Sequence, residues 1–375
     1  MCFVFRRSSG WIGVADMVPV RKSVERTPNS VVQRSSKSRS YRQSYQSLMA
    51  ASRLCLTRAL TSLRLNTNRR APKSDNIVQD KVNPQHLDSL MKREWQLSYV
   101  TPLYRFRYTQ LKSYARQLSA FLAAEKQQGL AVEVGGTLCF SVSFSVVQGL
   151  VETDDDAEAI LIEIYSKPLF TRKDEQLKTV WSGWLACING NPDYINSLPK
   201  EFICLPLFGS SGTEALTALV KSWFQKNFDC CFGLLEISHT SLQWLVALWT
   251  NCHTESNVKQ LKMIWTLPVK PLLHVTYAVN PVDAWELWSS VRRDPPQEVE
   301  EQDNIHIEEV MRLMKGLLSQ FYRHFKVDLS AGSLSHVSTA LGTAKCSGRI
   351  KISNSKCMTT TLMMLTECAL LKMPI

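Results

Sequence analysis

The sequence of 375 residues lacks the short motifs that mark most catalytic and metal-binding sites. Its 11 cysteines form no C-x-x-C pair, and no cysteine and histidine stand at the spacing of zinc ligands. No G-x-G-x-x-G occurs, and no histidine, carboxylate and serine recur together in a triad-like pattern. These absences argue against a zinc domain, a dinucleotide-binding fold and a triad hydrolase. We therefore expect no enzymatic activity, no metal and no cofactor.

Long apolar runs and a secretory signal are missing as well, so nothing in the sequence predicts a membrane span. Several cysteines, Cys187 and Cys204 among them, lie inside short apolar segments. Cysteines in such segments behave as small buried hydrophobic residues, which is typical of a reducing compartment.

Charge is distributed unevenly along the chain. Residues 1–82 contain 16 lysines and arginines against 4 acidic residues, whereas the remaining residues contain 28 basic and 29 acidic ones. The net charge of +11 therefore belongs to the tail, and the body is nearly neutral. Affinity for a polyanion is assigned to the tail, where Arg34, Lys37, Arg39 and Arg42 are the candidate contacts with nucleic acid.

The tail is rich in serine, arginine and glutamine and has too little apolar area to fold alone, which predicts disorder over residues 1–82. A transient helix is expected over residues 48–65. The composition fits three interpretations: a nucleic-acid-binding tail, a solvated leader without function, and a mitochondrial transit peptide.

The body is organised around residues 101–135, which predict a strand, a helix and a second strand. Aromatic residues alternate with Arg105 and Arg107 over residues 104–108, as in a strand with one aromatic and one cationic face. Thr109 is the expected helix cap, Gly129 the expected end, and residues 130–134 the second strand. The helix carries an apolar stripe of Leu111, Tyr114, Ala115, Leu118, Phe121 and Leu122.

The rest of the body mixes strands and helices without strict alternation, which predicts an α+β fold. We expect two mostly antiparallel or mixed sheets, each covered by helices, in an N-terminal half (83–208) and a C-terminal half (209–375). The predicted strands are 95–108, 138–146, 159–165, 179–188, 202–208, 261–267, 273–279, 327–329, 337–341 and 349–352. The predicted helices are 84–91, 213–223, 241–252, 281–291, 307–325 and 358–371.

Three segments invite a functional interpretation, and each has a plainer one. Residues 209–213, GSSGT before a helix, suggest a phosphate cradle but lack the lysine of a P-loop, so an ordinary loop is favoured. The acidic run 154–156 is either a cation site or a solvated turn. The aromatic strand 104–108 is either a base-stacking surface or a half-buried strand. The scattered histidines and most of the ten tryptophans fit structural roles.

Several long runs resemble the centromere protein L family, in order and from about Pro84 to the C-terminus. They are WQLSYVTPLYRFRYTQLKSYARQLSAFLAAEKQQGLAVEVG, CLPLF, VKSWFQKNFDCCF, LVALWT and FYRHFKVDLSAGSLSHVST. The resemblance implies a subunit of the constitutive centromere-associated network that pairs with centromere protein N through its C-terminal half by sheet extension. It further implies association with centromere protein C and the H/I/K/M subcomplex on centromeric nucleosomes, in the nucleus.

The residues that join the partner are inferred from the sequence pattern, because an unpaired edge strand can continue a neighbouring sheet. The C-terminal strand of Arg349, Ile350, Lys351 and Ile352 is the candidate edge. The helix 307–325, with Phe321 and Phe325, is expected behind it. The alternative is that both elements are internal core.

A second class of function stays open at this stage. The chain could be an organellar, mitochondrial protein with a cleaved basic leader, with RNA as a possible ligand. Imaging of a tagged chain separates the two classes, since one predicts paired nuclear foci in mitosis and the other a mitochondrial pattern.

Overall fold

The computed structural model describes residues 2–7, 10–19, 68–70, 82–91, 93–129, 140–152, 156–166, 178–252, 259–292 and 304–373. Within these stretches the chain forms α-helices and antiparallel β-strands, which confirms the predicted α+β class.

The strands are numbered in chain order. They are β1 (Cys2–Arg7), β2 (Gly10–Pro19), β3 (Asn68–Arg70), β4 (Trp95–Val100), β5 (Leu103–Tyr104), β6 (Phe140–Val147), β7 (Ala159–Ser166), β8 (Lys178–Ala186), β9 (Phe202–Ile203), β10 (Leu207–Gly212), β11 (Phe232–Leu234), β12 (Leu261–Leu267), β13 (Leu273–Val279), β14 (Asn304–His306), β15 (Ser333–Ser338), β16 (Gly342–Lys345) and β17 (Arg349–Ile352).

The helices are numbered in the same way. They are α1 (Pro84–Met91), α2 (Leu111–Gly129), α3 (Pro192–Ser197), α4 (Glu214–Phe228), α5 (His239–Asn251), α6 (Pro281–Arg292), α7 (Ile307–Phe325) and α8 (Met358–Leu370). Single 3₁₀ turns precede α2 (Tyr108–Gln110) and α8 (Ser355–Cys357).

One sheet of 13 strands runs through both halves of the body, where the sequence predicts two sheets. Its order is β1, β2, β13, β12, β15, β16, β17, β4, β10, β8, β7 and β6, with β11 also pairing with β4. The two halves meet at β4 and β17, where Gln96 lies opposite Arg349 and Trp95 lies opposite Ile350. The pairs β3–β14 and β5–β9 form two separate short sheets.

The helices cover the two faces of this sheet unequally. One core spans both halves and buries residues of α1, α5, α6, α7 and α8, so this face is covered along its whole length. A second core lies on the opposite face, between α2, α4 and the strands of the N-terminal half. The second core includes no described residue of β12, β13, β15 or β16.

The segment after β4 bends where the sequence predicts a continuous strand. Arg105 adopts a left-handed conformation (φ 53°), and a 3₁₀ turn at 108–110 leads into α2, which begins two residues after the predicted cap Thr109. Phe106 is buried while Arg105 and Arg107 are exposed, so the half-buried interpretation holds although the geometry is a bend. The buried residues of the predicted stripe are Leu111, Tyr114, Leu118 and Leu122.

The glycine-rich segment 209–212 is part of β10, so the prediction of a loop there is wrong. Gly209 lies under the ring of Trp184, and a Cβ atom at this position would overlap that ring. Glycine is therefore required by close packing within a strand. The predicted boundary between residues 208 and 209 cuts β10, and α4 packs in the core of the N-terminal half.

Asp156, predicted to lie in a solvated turn or a cation site, is buried and accepts hydrogen bonds from the backbone. Its side chain is 7 % exposed, and its two oxygens accept hydrogen bonds from the backbone N–H groups of Glu152 (3.1 Å), Asn189 (2.8 Å) and Gly190 (3.0 Å). Asn189 has a positive φ of 50°. The carboxylate thus fixes the turn that follows β8, while residues 153–155 lie outside the described residues.

The C-terminal elements largely follow the sequence pattern. Strands β12, β13 and β17 and helix α7 have the predicted bounds, and Asn280 caps α6 by accepting a hydrogen bond from the Val282 N–H (2.9 Å). Three details are wrong: residues 327–329 form no strand, residues 339–341 form the turn between β15 and β16 where a strand at 337–341 was predicted, and Met311, assigned to the apolar face of α7, is 62 % exposed.

Most of the tail lies outside the described residues, including Arg34, Lys37, Arg39 and Arg42 and the expected helix at 48–65. The strand expected at 130–134 also lies outside them. Three tail segments are described as strands: β1 pairs with β2, β2 pairs with residues 273–275 of β13, and β3 pairs with β14. Disorder over residues 1–82 as a whole stays a prediction.

Candidate partner-binding surfaces

The strand β17, predicted as a free edge, lies inside the sheet. Ile350 pairs with Ala344 of β16 on one side and with Trp95 of β4 on the other. Ile350 and Ile352 are buried in the core, whereas Arg349 and Lys351 point to the opposite face. The prediction of an edge at Arg349–Ile352 is therefore wrong, because β4 arrives from a distant part of the sequence and fills that side.

Of the two phenylalanines predicted at the interface, Phe321 packs against β13 and Phe325 packs against Phe321. Phe321 is 2 % exposed, and its ring lies 4.9 Å from that of Tyr277 in β13. Phe325 is half-buried and lies 4.7 Å from the Phe321 ring. Phe321 is thus internal core, which was the alternative at the sequence level.

The border of the C-terminal half is β13. Its inner side pairs with β12 over all seven residues, from Leu273 to Val279. On its outer side the tail strand β2 lies along β13 and pairs with residues 273–275, whereas no residue pair is formed at 276–279 within the described stretches. Unpaired backbone N–H and C=O groups at such a border can continue the sheet of another chain. The border of β13 is therefore the place in this half where sheet extension fits.

The face of the C-terminal half opposite the shared core carries several cationic side chains. Strands β12, β16 and β17 supply them, and in each strand they alternate with buried residues. They are Lys262, Lys345, Arg349 and Lys351. Lys345 pairs with Glu94 at 2.8 Å, and the hydrogen bond from Lys345 lowers the pKa of that carboxyl. A body with a net charge near zero thus concentrates positive charge on one open surface.

His239, beside β15, and His336, within it, both have a lowered pKa, which favours the neutral imidazole. The Leu334 N–H donates to Nδ1 of His239 (2.7 Å), so this nitrogen must carry a lone pair. Burial lowers the pKa of His239. Burial, together with the charges of Lys345 and Lys262, also lowers the pKa of His336, and the charge of Glu94 opposes this shift.

This arrangement predicts a loss of stability in mild acid. Because the folded pKa values lie below the unfolded value of about 6.5, the unfolded chain binds protons first as the pH falls. Protonation of His239 also removes one hydrogen bond, worth about 1 kcal/mol. We expect the free energy of unfolding in urea to fall between pH 7.5 and pH 5.5, and the fall to be smaller in His239→Asn, whose amide oxygen still accepts. His324→Asn, an exposed site, is the control; parallel profiles for His239→Asn and the wild type would contradict this role.

The described part of the chain has neither a metal-binding cluster nor a membrane-spanning helix. No group of three or more histidine, cysteine, aspartate or glutamate side chains there is placed to hold a metal ion. No helix there is long and apolar enough to cross a membrane. Of the nine tryptophans that follow residue 82, all but Trp285 are buried, which confirms the predicted core role of most of them.

Comparison with known proteins identifies relatives over most of the chain. A sequence model of the family described as Centromere protein L matches residues 89–370. Centromere protein L of Danio rerio is 56 % identical over 315 residues, which are 84 % of this chain and 84 % of the relative. Centromere protein L of Gallus gallus is 41 % identical over 293 residues (78 % and 83 %), and that of Homo sapiens is 39 % identical over 319 residues (85 % and 90 %).

Proposed function

This chain belongs to the centromere protein L family, and we propose that it is a non-enzymatic structural subunit of the inner kinetochore that pairs with centromere protein N. It serves at the centromere in chromosome segregation and resides in the nucleus, on chromosomes. In this role it helps centromere protein C and the H/I/K/M subcomplex to assemble on centromeric nucleosomes. The body offers surfaces for binding other chains, and its geometry favours that role over catalysis.

The observation that carries the pairing proposal is the border of β13. Strand β13 is the last strand that the C-terminal half itself contributes to the sheet, and the tail strand β2 beside it forms residue pairs with 273–275 and none with 276–279. A strand of centromere protein N that binds along β13 gains main-chain hydrogen bonds and extends the sheet. To use the full length of β13 it must take the place that β2 occupies at residues 273–275. We therefore place the interface at β13 and no longer at Arg349–Ile352.

Backbone hydrogen exchange tests this placement. Outward N–H groups of residues 276–279 should exchange quickly in the free chain and become protected when centromere protein N binds. Strand β12, which is paired on both sides, is the internal control and should be protected in both states. A stable complex that leaves exchange in β13 unchanged would refute the proposed interface. A chain lacking residues 1–19 should bind centromere protein N more tightly, because β2 no longer competes.

Two surfaces are candidates for weak contact with DNA: the basic tail and the open cationic face. Deleting residues 1–82 should weaken binding to a short duplex and flatten its salt dependence, because fewer counterions are released. The double variant Lys262→Glu/Lys351→Glu tests the open face in the same assay. An unchanged salt slope after the deletion would remove the tail from this role and leave the face as the candidate.

Location separates this function from the organellar alternative. A fluorescent fusion of the full chain should give paired nuclear foci in mitosis. A mitochondrial pattern would support the cleaved-leader interpretation instead.

A further inference from the structure

The opposite end of the sheet has an unusual border strand. Strand β6 pairs with β7 through eight residue pairs without a register shift, and no strand of the described stretches lies on its outer side. Its sequence, FSVSFSVV, contains no charged residue, no proline and no glycine. Border strands are normally protected from pairing by charges, prolines or bulges. The absence of all three within β6 leaves a regular template for a further strand.

Packing holds this template rigid. The Phe144 ring lies 6.1 Å from Trp223 and 6.3 Å from Phe224 of α4, and Phe140 on the same face is buried in the core that contains both. The side chains on one face of β6 thus anchor it in the core, while its edge is set by pairing with β7. A strand that is already in place costs little conformational entropy when another chain binds to it.

Helix α2 lies across β6 and runs in the opposite direction. Near the middle of α2, Ser119 Oγ donates a hydrogen bond to the Phe140 carbonyl (2.6 Å). Nearer its N-terminus, Tyr114 contacts the Trp223 ring that also contacts Phe144. The chain direction of α2 is therefore antiparallel to that of β6.

One flank of α2 is basic and faces the border. The other flank faces α4, where Lys226 lies 4.9 Å from the Phe121 ring. With about 100° of rotation per residue, Lys112 and Arg116 lie within about 60° of Ser119, on the flank that points away from α4. Both side chains are exposed. They therefore form a cationic ridge beside the uncharged edge of β6.

We propose that the outer edge of β6 binds an extended, acidic segment of a partner protein as an additional strand. Main-chain hydrogen bonds to β6 supply the affinity, and Lys112 and Arg116 select carboxylates on the side of the strand that faces α2. This surface lies at the far end of the sheet from β13, so it is separate from the pairing with centromere protein N.

Two matched peptides test this inference. Each has a centre of alternating valine and threonine; one is flanked by two glutamates at each end and the other by two lysines. Fluorescence anisotropy with the full-length chain should show about tenfold tighter binding of the glutamate peptide. The double variant Lys112→Glu/Arg116→Glu should lose that preference or reverse it. Arg323→Glu, an equally exposed cation on α7, is the charge-matched control and should bind like the wild type.

Hydrogen exchange locates the bound peptide. Protection should rise at the outward amides of β6 and stay unchanged in β13, whose response reports the other interface. Equal binding of both peptides, or a preference that survives the double variant, would overturn the proposal. So would binding that appears only after Val132→Pro/Val134→Pro, because residues 130–134 of the chain itself would then be the occupant of this edge. Each of these results leaves the pairing at β13 to its own test.

Discussion

Replacing Ile350 with proline should unfold the body of the protein. Ile350 is 1 % exposed and pairs with strands on both sides, so proline removes a backbone donor and most of a buried side chain at the junction of the two halves. We expect a loss of about 5 kcal/mol or more, which is comparable to the whole stability of a typical domain. Denaturant unfolding followed by circular dichroism and by tryptophan fluorescence measures it.

The control for this substitution is Ile350→Val, which keeps the backbone and most of the shape. It should cost about 1 kcal/mol. If Ile350→Pro unfolded only the C-terminal half and left the N-terminal half with its full stability, the shared core would not couple the halves. If Ile350→Pro remained folded and lost only its binding to centromere protein N, the result would instead support the free edge at residues 349–352 that the sequence suggested.

Replacing Asp156 with alanine should cost about 3 to 5 kcal/mol, although the sequence around it looks like an exposed acidic turn. Three backbone N–H groups lose their acceptor, and each buried donor left without one costs about 1 to 3 kcal/mol. Asp156→Asn should cost less, because one carbonyl oxygen remains while the new NH₂ group faces a donor. The free energy of unfolding from urea titrations measures both.

The matched control for the acidic turn is Asp193→Asn, an exposed carboxylate in the first turn of α3. It should change stability by less than about 0.5 kcal/mol. If Asp156→Ala were as mild as this control, ordered water would be satisfying the three N–H groups.

The position and type of most elements follow from the sequence because they depend on local pattern. The alternating residues of β12 and the Asn280-Pro281 start of α6 carry their own signal, and the structure has them where predicted. The spacing of apolar residues in α7 likewise predicts the bounds of that helix. It fails at Met311, because periodicity shows which side of a helix is apolar and not how far the neighbouring elements cover it.

The errors occur where distant segments meet. Nothing near Ile350 in the sequence indicates that β4 completes its sheet, so an internal strand looked like a border. Nothing near Gly209 indicates the Trp184 ring above it, so a strand looked like a loop. The three donors to Asp156 include two that lie more than thirty residues away. Pairing partners of this kind are tertiary information that local composition does not contain.

The distance in sequence between β4 and α8 affects how the protein is made. This helix packs in the core that both halves share, and its Thr366 hydroxyl accepts a hydrogen bond from the Ile188 N–H (3.3 Å). While the chain is still on the ribosome, β4 has been synthesised long before β17 and α8. Until α8 has been synthesised, the apolar face that it packs against is only partly covered, and contacts so far apart in sequence form slowly. Newborn chains therefore need chaperones or rapid release to escape aggregation.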